Sequence, residues 1–423
     1  MLNKTISNKT YRFCVLILLI TLQTGISWSK LPIGNTFLWW SIDFITLFTV
    51  LQFRKNSSHY PLIKIYSCWM IISCIRGAFI AENYWEWKQL ITGFLTLSLP
   101  ILVYIFDKAN ITLCILRYWF KYAIIAFILF LPFLSTGAYH FYLGPIFLIG
   151  CFIPILPKKW RIILGGLLII MLFINLGARS QVIKSAIVLM IALGIHFRKF
   201  ISNRILQIVH LTCYILPIIL LYLGISGIFN IFEDLSSNKG KYIQRKVVNG
   251  QIVEDDLSAD TRTFIYIEVI KSALQHNYVI WGRTPARGND SMAFGALNAE
   301  ELKTGKYERH SNELCHTNIF TWLGLIGVVL YSLIYLRSSY LAVYKSNNIY
   351  IKFLGCFIAF RWAYGWIEDI NRFDIANISL WMMIAMGLSV QFRNMNNKEF
   401  ANFIKKIFVK ETCHSLHYNK QIQ

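Results

Sequence analysis

The chain has 423 residues, of which 56% are hydrophobic and 15% are charged, and its formal net charge is +21. Average soluble domains carry about 25% charged residues, so this composition excludes an ordinary soluble fold. Apolar runs of about 18 or more residues recur along most of the sequence, as expected of a protein that crosses a membrane many times.

The chain begins with Lys4, Lys9 and Arg12, followed by an apolar stretch that ends near Trp28. This order is similar to a signal peptide, but no convincing cleavage site follows it, and we expect an uncleaved first helix. Hydropathy predicts an all-α, polytopic membrane protein with about twelve transmembrane helices. The predicted spans are 11-28, 36-53, 61-82, 89-106, 117-135, 140-156, 160-177, 181-197, 205-228, 316-337, 350-367 and 373-392.

The basic residues between the spans predict the topology. Lys and Arg concentrate in one set of alternate connections, to which both termini belong, whereas the short connections of the opposite set hold only Lys30, Lys88 and Arg179. Cytoplasmic loops carry the excess of Lys and Arg, so we expect both termini in the cytoplasm. The net charge is then a topology signal, and we do not expect nucleic-acid binding.

The predicted spans divide the chain into four regions. Residues 1-228 hold helices 1-9, 229-315 form a long periplasmic loop, 316-392 hold helices 10-12, and 393-423 form a basic cytoplasmic tail. Loops of this length are uncommon unless they are functional or disordered.

Part of the long loop has a helical pattern. Between Asp260 and Asn277, which are suitable caps, apolar side chains recur at helical spacing. They are Phe264, Ile267, Ile270 and Leu274. We expect an amphipathic helix at the outer membrane interface.

Ionisable residues inside spans or at their outer ends are functional candidates because their burial in lipid is costly. Arg76, Arg179, Lys184 and Arg361 meet this description. The alternative for each is a structural pairing, such as that of Arg361 with Glu368.

A second group of cations lies in the long loop. Arg262 opens the amphipathic helix, and Arg283 and Arg287 lie in the run from Trp281 to Gly288. A helix N-terminus and an Arg fork together suit the oxygens of a diphosphate. The alternative is an Arg exposed on a solvated loop.

Two histidines, His310 and His316, precede the tenth span, with Glu313 and Cys315 between them. Their spacing matches no common zinc site, and the nine Cys show no CxxC pattern, so we expect no metal, cofactor or disulfide. A neutral His at the outer mouth of a membrane helix can take a proton from a sugar hydroxyl. An ordinary interfacial His is the alternative for both.

These features occur in a familiar order: an Arg in a short turn after a span, a long outer loop that opens with an Arg-bearing helix, and a His before a Gly-x-x-Gly span at Gly324 and Gly327. In this order the sequence resembles the bacterial O-antigen polymerase and O-antigen ligase superfamily, by motif over residues 160-340 and by topology over the whole chain. The resemblance implies an architecture similar to GT-C-type membrane glycosyltransferases. Neither His has the family's spacing, since His316 lies closer to Gly324 and His310 lies farther away.

The resemblance implies an inverting, metal-independent glycosyltransferase that moves a glycan from undecaprenyl diphosphate to an acceptor hydroxyl at the periplasmic face. Arg179 and Arg262 would be diphosphate ligands, with Arg76, Arg361, Arg283 and Arg287 as further substrate-binding candidates. His316 is favoured over His310 as the base because the run from His316 to Phe320 is similar to the family's helix start.

The resemblance leaves the acceptor open. A polymerase would transfer the chain onto another lipid-linked repeat unit, and this reading is favoured. A ligase would instead use the lipid A core of lipopolysaccharide. From another class, a lipid-linked sugar flippase or transporter is disfavoured because the sequence shows no internal repeat. The expected partners are the lipid-linked oligosaccharide, membrane lipid and a chain-length regulator protein.

Overall fold

The computed structural model is mostly helical, in agreement with the predicted fold class. It describes residues 8–29, 31, 33–53, 59–135, 138–174, 178–225, 243–248, 251–256, 263–292, 294–301 and 305–409. Arg262 and the predicted cap Asp260 lie outside these residues.

Eleven helices precede the long loop in the described part of the chain. They are α1 (Asn8–Ser27), α2 (Thr36–Phe53), α3 (Pro61–Ile80), α4 (Tyr84–Leu97), α5 (Val103–Phe106), α6 (Ala109–Phe130), α7 (Ala138–Tyr142), α8 (Gly144–Gly150), α9 (Lys158–Phe173), α10 (Arg179–His196) and α11 (Asn203–Ile225). Short 3-10 turns extend some of them, at Leu99–Leu102, Leu131–Phe133 and Ile153–Ile155.

The described part of the loop contributes two helices and two antiparallel strand pairs. These are β1 (Ile243–Val248) paired with β2 (Gln251–Asp256), α12 (Thr263–Gln275), α13 (Gly295–Glu301), and β3 (Asn289–Asp290) paired with β4 (Glu308–Arg309). The strand pairs are absent from the all-α prediction. Five helices follow among the residues described up to 409: α14 (Cys315–Tyr344), α15 (Ile349–Tyr364), α16 (Ile375–Leu388), α17 (Val390–Asn394) and α18 (Asn397–Lys406).

Eight helical stretches of the described chain are long and apolar enough to cross a membrane. They are Asn8–Ser27, Thr36–Phe53, Pro61–Ile80, Tyr84–Phe106, Ala109–Phe133, Arg179–His196, Asn203–Leu223 and Cys315–Tyr344. Each overlaps a predicted span, and the chain is therefore a polytopic membrane protein. The other four predicted spans correspond to helices that are shorter or interrupted.

The predicted span 140-156 is broken because Pro145 and Pro154 begin new turns, so that α7, α8 and a 3-10 turn replace one continuous helix. Proline lacks the amide that would continue the preceding helix. At the first break, Gly144 lies directly against the backbone of Ala376, and a Cβ there would overlap it. The break thus lets α8 pack closely on the first turn of α16.

The short helices α15 and α16 form the centre of the bundle. Every residue of α16 except Ala376 is buried, and α16 packs against α14, α15 and α8. α15, with 16 residues, is about 24 Å long, less than the roughly 30 Å of a hydrocarbon core. Because neighbouring helices surround them, these two helices do not need the length of a lipid-facing span.

The amphipathic helix of the loop is present as α12, and its C-terminal cap is confirmed. Asn277 has a positive φ of 53°, and the amide of Tyr278 donates to the carbonyl of Ala273 at 3.1 Å, as in a Schellman cap. Of the predicted apolar face, Ile267, Ile270 and Leu274 are exposed. The opposite face, with Ile265, Val269 and Ala273, packs against the protein.

Candidate functional site

The first turns of α10 bring two polar side chains into the bundle. Arg179 is the first residue of the helix and is exposed, whereas Gln181 and Lys184 are buried. The side-chain amide of Gln181 donates to Oε1 of Glu368 at 2.5 Å, and Nζ of Lys184 lies 3.9 Å from the same oxygen. Lys184 therefore forms a buried ion pair near the turn that carries Arg179.

Arg361 reaches Glu368 from the last turn of α15. Its Nη1 lies 3.5 Å from Oε2 of Glu368, and the side chain is only 7% exposed. Glu368 thus lies between the two cations Lys184 and Arg361. A buried carboxylate is stabilised by such partners, which would each be costly to bury alone. We refer to Gln181, Lys184, Arg361 and Glu368 as the Glu368 cluster.

His316 lies beside this cluster in the first turn of α14. The amide of Cys315 donates to the carbonyl of Glu368 at 3.1 Å and to that of Gly365 at 3.0 Å. The His316 ring packs between Trp362 and Trp366, with centroid distances of 5.4 and 4.4 Å. The unusual α14 start, with no side-chain cap, therefore has its first amide satisfied by the turn that holds Glu368.

The hydrogen bonding of His316 fixes its tautomer. Nε2 lies 3.0 Å from the carbonyl of Trp362, and a carbonyl can only accept, so Nε2 carries the proton of the neutral ring. Nδ1 is then the atom with the lone pair, and it is buried without a hydrogen-bond partner among the described residues. His316 accordingly has a base-competent nitrogen.

The loop helix α12 joins the same region. The hydroxyl of Tyr266 donates to the carbonyl of Trp366, the residue that packs on His316. Arg262 immediately precedes α12 in the sequence, but its position lies outside the described residues.

Several buried polar atoms of this region have no hydrogen-bond partner in the part of the chain that the structure describes. They are Oε1 of Gln181, Nε1 of Trp366 and Nδ1 of His316, together with Oε2 of Glu368 and Nη1 of Arg361, which face each other at 3.5 Å without a hydrogen bond. In folded proteins about 90% or more of buried polar groups are hydrogen-bonded. Such a concentration is typical of a site that holds water or a polar ligand.

The other predicted cations form a second group that is neutralised by acidic partners. Arg283 lies 2.8 Å from Oδ1 of Asp290 and 3.0 Å from Oε1 of Glu308. Arg287 also holds Glu308, with Nε donating to both carboxylate oxygens at 3.1 and 2.9 Å. We refer to Arg283, Arg287, Asp290 and Glu308 as the Glu308 cluster. These pairings favour a structural role for the two arginines.

The charges of the Glu308 cluster stabilise one another. Burial disfavours ionisation of Glu308, but the hydrogen bond from Arg287 and the charge of Arg283 outweigh burial and lower the pKa of the carboxyl group. Burial also disfavours ionisation of Asp290, but the hydrogen bonds from Arg283 and His276 outweigh burial and lower the pKa of its carboxyl group. Both carboxylates are therefore ionised at neutral pH.

Arg76 binds the backbone of the long loop. Its two terminal nitrogens donate to the carbonyls of Trp281 at 3.0 Å and Gly282 at 3.3 Å. The cation predicted to bind substrate thus binds two carbonyls of the loop. We call residues 278–288, which include them, the Trp281 segment.

His310 lies near the Glu308 cluster, since its imidazole interacts electrostatically with Glu308 and Arg287. It is 7% exposed, and neither ring nitrogen has a hydrogen-bond partner among the residues described. Burial lowers the pKa of His310, although the carboxylates of Glu308 and Glu86 act in the opposite direction. The predicted site residues are therefore divided into two places, with Lys184, Arg361 and His316 in one and Arg283, Arg287 and His310 in the other.

The sequence reasoning missed three residues of these sites. Glu368 appeared only as a structural partner of Arg361, yet it organises both buried cations. His140 is fully buried, interacts electrostatically with Lys184, and has neither ring nitrogen hydrogen-bonded in the described chain. Glu86 binds Lys306 at 2.5 Å at the start of α4. Glu368, His140 and Glu86 each lie at or near the end of a predicted span, and this position was the signal that could have identified them.

Comparison of the chain with protein-family models, with curated proteins and with solved structures gives no match. The functional argument consequently rests on the motifs of the sequence and on the geometry of the two clusters.

Proposed function

We propose that this protein is a membrane glycosyltransferase that resembles the O-antigen polymerases, acting on undecaprenyl diphosphate-linked glycans at the periplasmic face of the bacterial inner membrane. The observation that carries the proposal is the meeting of Lys184, Arg361 and His316 around Glu368, with unsatisfied buried polar atoms beside them. Cations and a neutral imidazole are the groups that a metal-independent glycosyl transfer requires.

In the proposed reaction, the acceptor hydroxyl oxygen attacks the anomeric carbon while the bond from that carbon to the diphosphate breaks. The proton of the hydroxyl passes to Nδ1 of His316, and undecaprenyl diphosphate leaves with the bonding electrons. Negative charge accumulates on its phosphate oxygens, where Arg179, Arg262 and Arg361 would stabilise it. Attack from the face opposite the leaving group inverts the anomeric configuration.

Glu368 has a definite role in this proposal. Oε1 accepts from Gln181 and faces Lys184, and Oε2 faces Arg361, so Glu368 keeps both cations charged and oriented before substrate arrives. Diphosphate oxygens would compete with Glu368 for the same cations, and a preorganised site costs little reorganisation in the transition state.

The proposed topology has twelve crossings, with α15, α16, α9 and the broken α7–α8 region as the shorter ones, and both termini in the cytoplasm. Its support is the alternation of basic connections together with the eight long apolar helices. In this topology Arg179, α12 and the start of α14 share the periplasmic side.

The test is a reconstituted reaction with the full chain in nanodiscs and a lipid-linked repeat unit as both donor and acceptor. Products longer than two repeat units support a polymerase. Transfer only to a lipid A core acceptor supports a ligase. Movement of the lipid-linked glycan across vesicles without transfer would replace the proposal with a transporter.

Arg179→Ala should lower the transfer rate by roughly two to three decades, because removing one preorganised donor to the charge of the leaving group costs about that much. Arg179→Lys should recover part of the rate, since an ammonium group cannot reproduce the bidentate fork. Arg204→Ala, at an exposed arginine near the other end of α10, is the matched control and should retain full activity. Equal rates for the Arg179 and Arg204 variants would remove Arg179 from the site.

A further inference from the structure

The Trp281 segment forms backbone hydrogen bonds with α14 at a break in that helix. Gly324 interrupts this helix with φ 67° and ψ −169°, so that backbone groups on both sides of it lack helical partners. The segment supplies them: the amides of Arg283 and Thr284 donate to the carbonyls of Thr321 and Trp322 at 2.7 and 3.2 Å. In return, the amide of Leu325 donates to the carbonyl of Val279 at 2.8 Å.

Helix α3 lies against the same place. Nε1 of Trp69 donates to the carbonyl of Leu323 at 2.9 Å, and Oγ of Ser73 donates to that of Trp322 at 2.9 Å. The rings of Trp69 and Trp281 are 5.3 Å apart. The Trp281 segment is thus packed between a helix break and the side of a long apolar helix.

The positions of these contacts along the helices give their depth. Trp69 lies eleven residues before Ile80, the end of α3 on the side of the loop, which corresponds to about 16 Å. Gly324 lies nine residues after Cys315, the start of α14, which corresponds to about 14 Å. On α4, a Cβ at Gly93 would lie 2.6 Å from Pro285, and Gly93 is nine residues into that helix, again about 14 Å.

The α3 helix has 20 residues and is about 30 Å long, which equals the thickness of a typical hydrocarbon core. A point about 16 Å from its end is therefore near the middle of the membrane. Irregular backbone is tolerated at that depth only where protein groups or a water-filled cavity satisfy it. The hydrogen bonds to α14, together with those from Arg76, meet this requirement for the Trp281 segment.

We propose that the Trp281 segment re-enters the membrane from the outer loop, and that Ile280 and Trp281 contact lipid acyl chains there. Both side chains are 53% exposed, although the residues that follow, Gly282 and Thr284 to Ala286, are buried. The Trp281 ring lies against that of Trp69 on α3, and α3 also exposes apolar side chains, including Ile72 and Ile75. Exposed apolar side chains on a helix long enough to cross the membrane face lipid hydrocarbon.

Spin labels at single cysteines test the proposal in nanodiscs, in a background where the native cysteines are replaced. Labels at Ile280→Cys and Trp281→Cys should have the high oxygen and low aqueous nickel-complex accessibility of a label at Ile72→Cys. A label at Met292→Cys, on a loop residue that is 97% exposed, should have the opposite accessibility. Aqueous accessibility at positions 280 and 281 equal to that at 292 would overturn the proposal.

A second measurement uses the unmodified chain, in case the cysteine-free background does not fold. A lipid-soluble diazirine activated in the bilayer should modify Ile280 or Trp281 but neither Met292 nor Tyr307, which is 65% exposed on the same loop. Modification of Met292 and Tyr307 without modification at 280 and 281 would place the segment in water. Neither measurement depends on glycosyl transfer.

Discussion

Gly282 and Gly324 lie against each other where the Trp281 segment meets α14. Their φ angles are +72° and +67°, and a Cβ on either residue would overlap backbone atoms at or beside the other. With ψ −169°, Gly324 occupies a region that is essentially restricted to glycine. The close contact of the loop with the broken helix therefore requires glycine on both sides.

Alanine at either position should destabilise the protein. Gly324→Ala combines a backbone strain of about 1–3 kcal/mol with overlap against the carbonyl of Ile280, and it should lower the thermal unfolding midpoint in detergent. Gly166→Ala is the matched control, because nothing lies within 4 Å of the Cβ position on α9. An unchanged midpoint for both Gly282→Ala and Gly324→Ala would mean that the two backbones do not meet.

Glu368→Gln should destabilise the protein more than Lys184→Gln. Without the carboxylate, Lys184 and Arg361 are two buried cations with no counter-charge from Glu368, and breaking a buried pair in this way costs about 3–5 kcal/mol. Lys184→Gln leaves Arg361 paired with Glu368. The unfolding midpoints of the two variants measure the difference, and a reversed order would show that Glu368 does not neutralise the cations.

The sequence predicted the long helices well because each is an uninterrupted apolar run. The prediction was wrong where the backbone departs from helical geometry. The Gly-x-x-Gly pair was interpreted as part of a continuous span, but Gly324 breaks α14 to accept the loop. Hydropathy averages over such a position, and the pairing of Gly282 with Gly324 joins residues far apart in the chain.

The candidate site was predicted in part. The pairing of Arg361 with Glu368, considered as a structural alternative, is present, and Lys184 shares the same carboxylate. Arg283 and Arg287 were predicted as phosphate ligands because the basic side chains are obvious in the sequence. Their neutralisation by Glu308 was not predictable, since it depends on the pairing of β3 with β4, whose strands have two residues each.

The topology predicts the outcome of reporter fusions. Alkaline phosphatase fused near Ser236 or Lys306 should be active, and fusions near Lys199 or at the C-terminus should be inactive, because basic connections stay in the cytoplasm. A complementary cytoplasmic reporter at each position controls for expression. The inverse activity pattern would move the proposed site to the cytoplasmic side.

Acid should weaken the docking of the loop. The pKa of His310 lies below its ordinary value of 6.5 because of burial, so the folded state binds fewer protons than the unfolded state below about pH 6.5 and loses stability as the pH falls. The pKa values of Glu308 and Asp290 are also lowered, despite their burial, by their basic partners. The stability that these two carboxylates contribute is complete above their pKa values in the unfolded chain, 4.5 and 3.8, and is lost at lower pH.

Unfolding midpoints between pH 8 and pH 4 measure this dependence. The midpoint should begin to fall near pH 6.5 and fall more steeply below pH 4.5. His310→Gln removes one titrating group, so its midpoint should fall less between pH 6.5 and 4.5 than that of the unmodified protein, with the remaining fall due to the other buried histidines, His140, His210 and His316. Parallel curves for the two proteins would show that His310 does not contribute.

The proposed base can be separated from its structural role by the choice of substitution. His316 donates from Nε2 to the carbonyl of Trp362, and a glutamine amide at the same position can retain that hydrogen bond while lacking a basic nitrogen. His316→Gln should therefore fold normally and lose transfer by about two to four decades at every pH, the usual contribution of a general base. His310→Gln should retain most of the activity, because His310 lies by the Glu308 cluster, and a chelator should affect neither protein. If His310→Gln is the inactive variant, the base lies by the Glu308 cluster and the reaction centre moves to the loop. If both variants polymerise normally in the reconstituted assay, a histidine base at either position is excluded, and Glu313 becomes the next candidate.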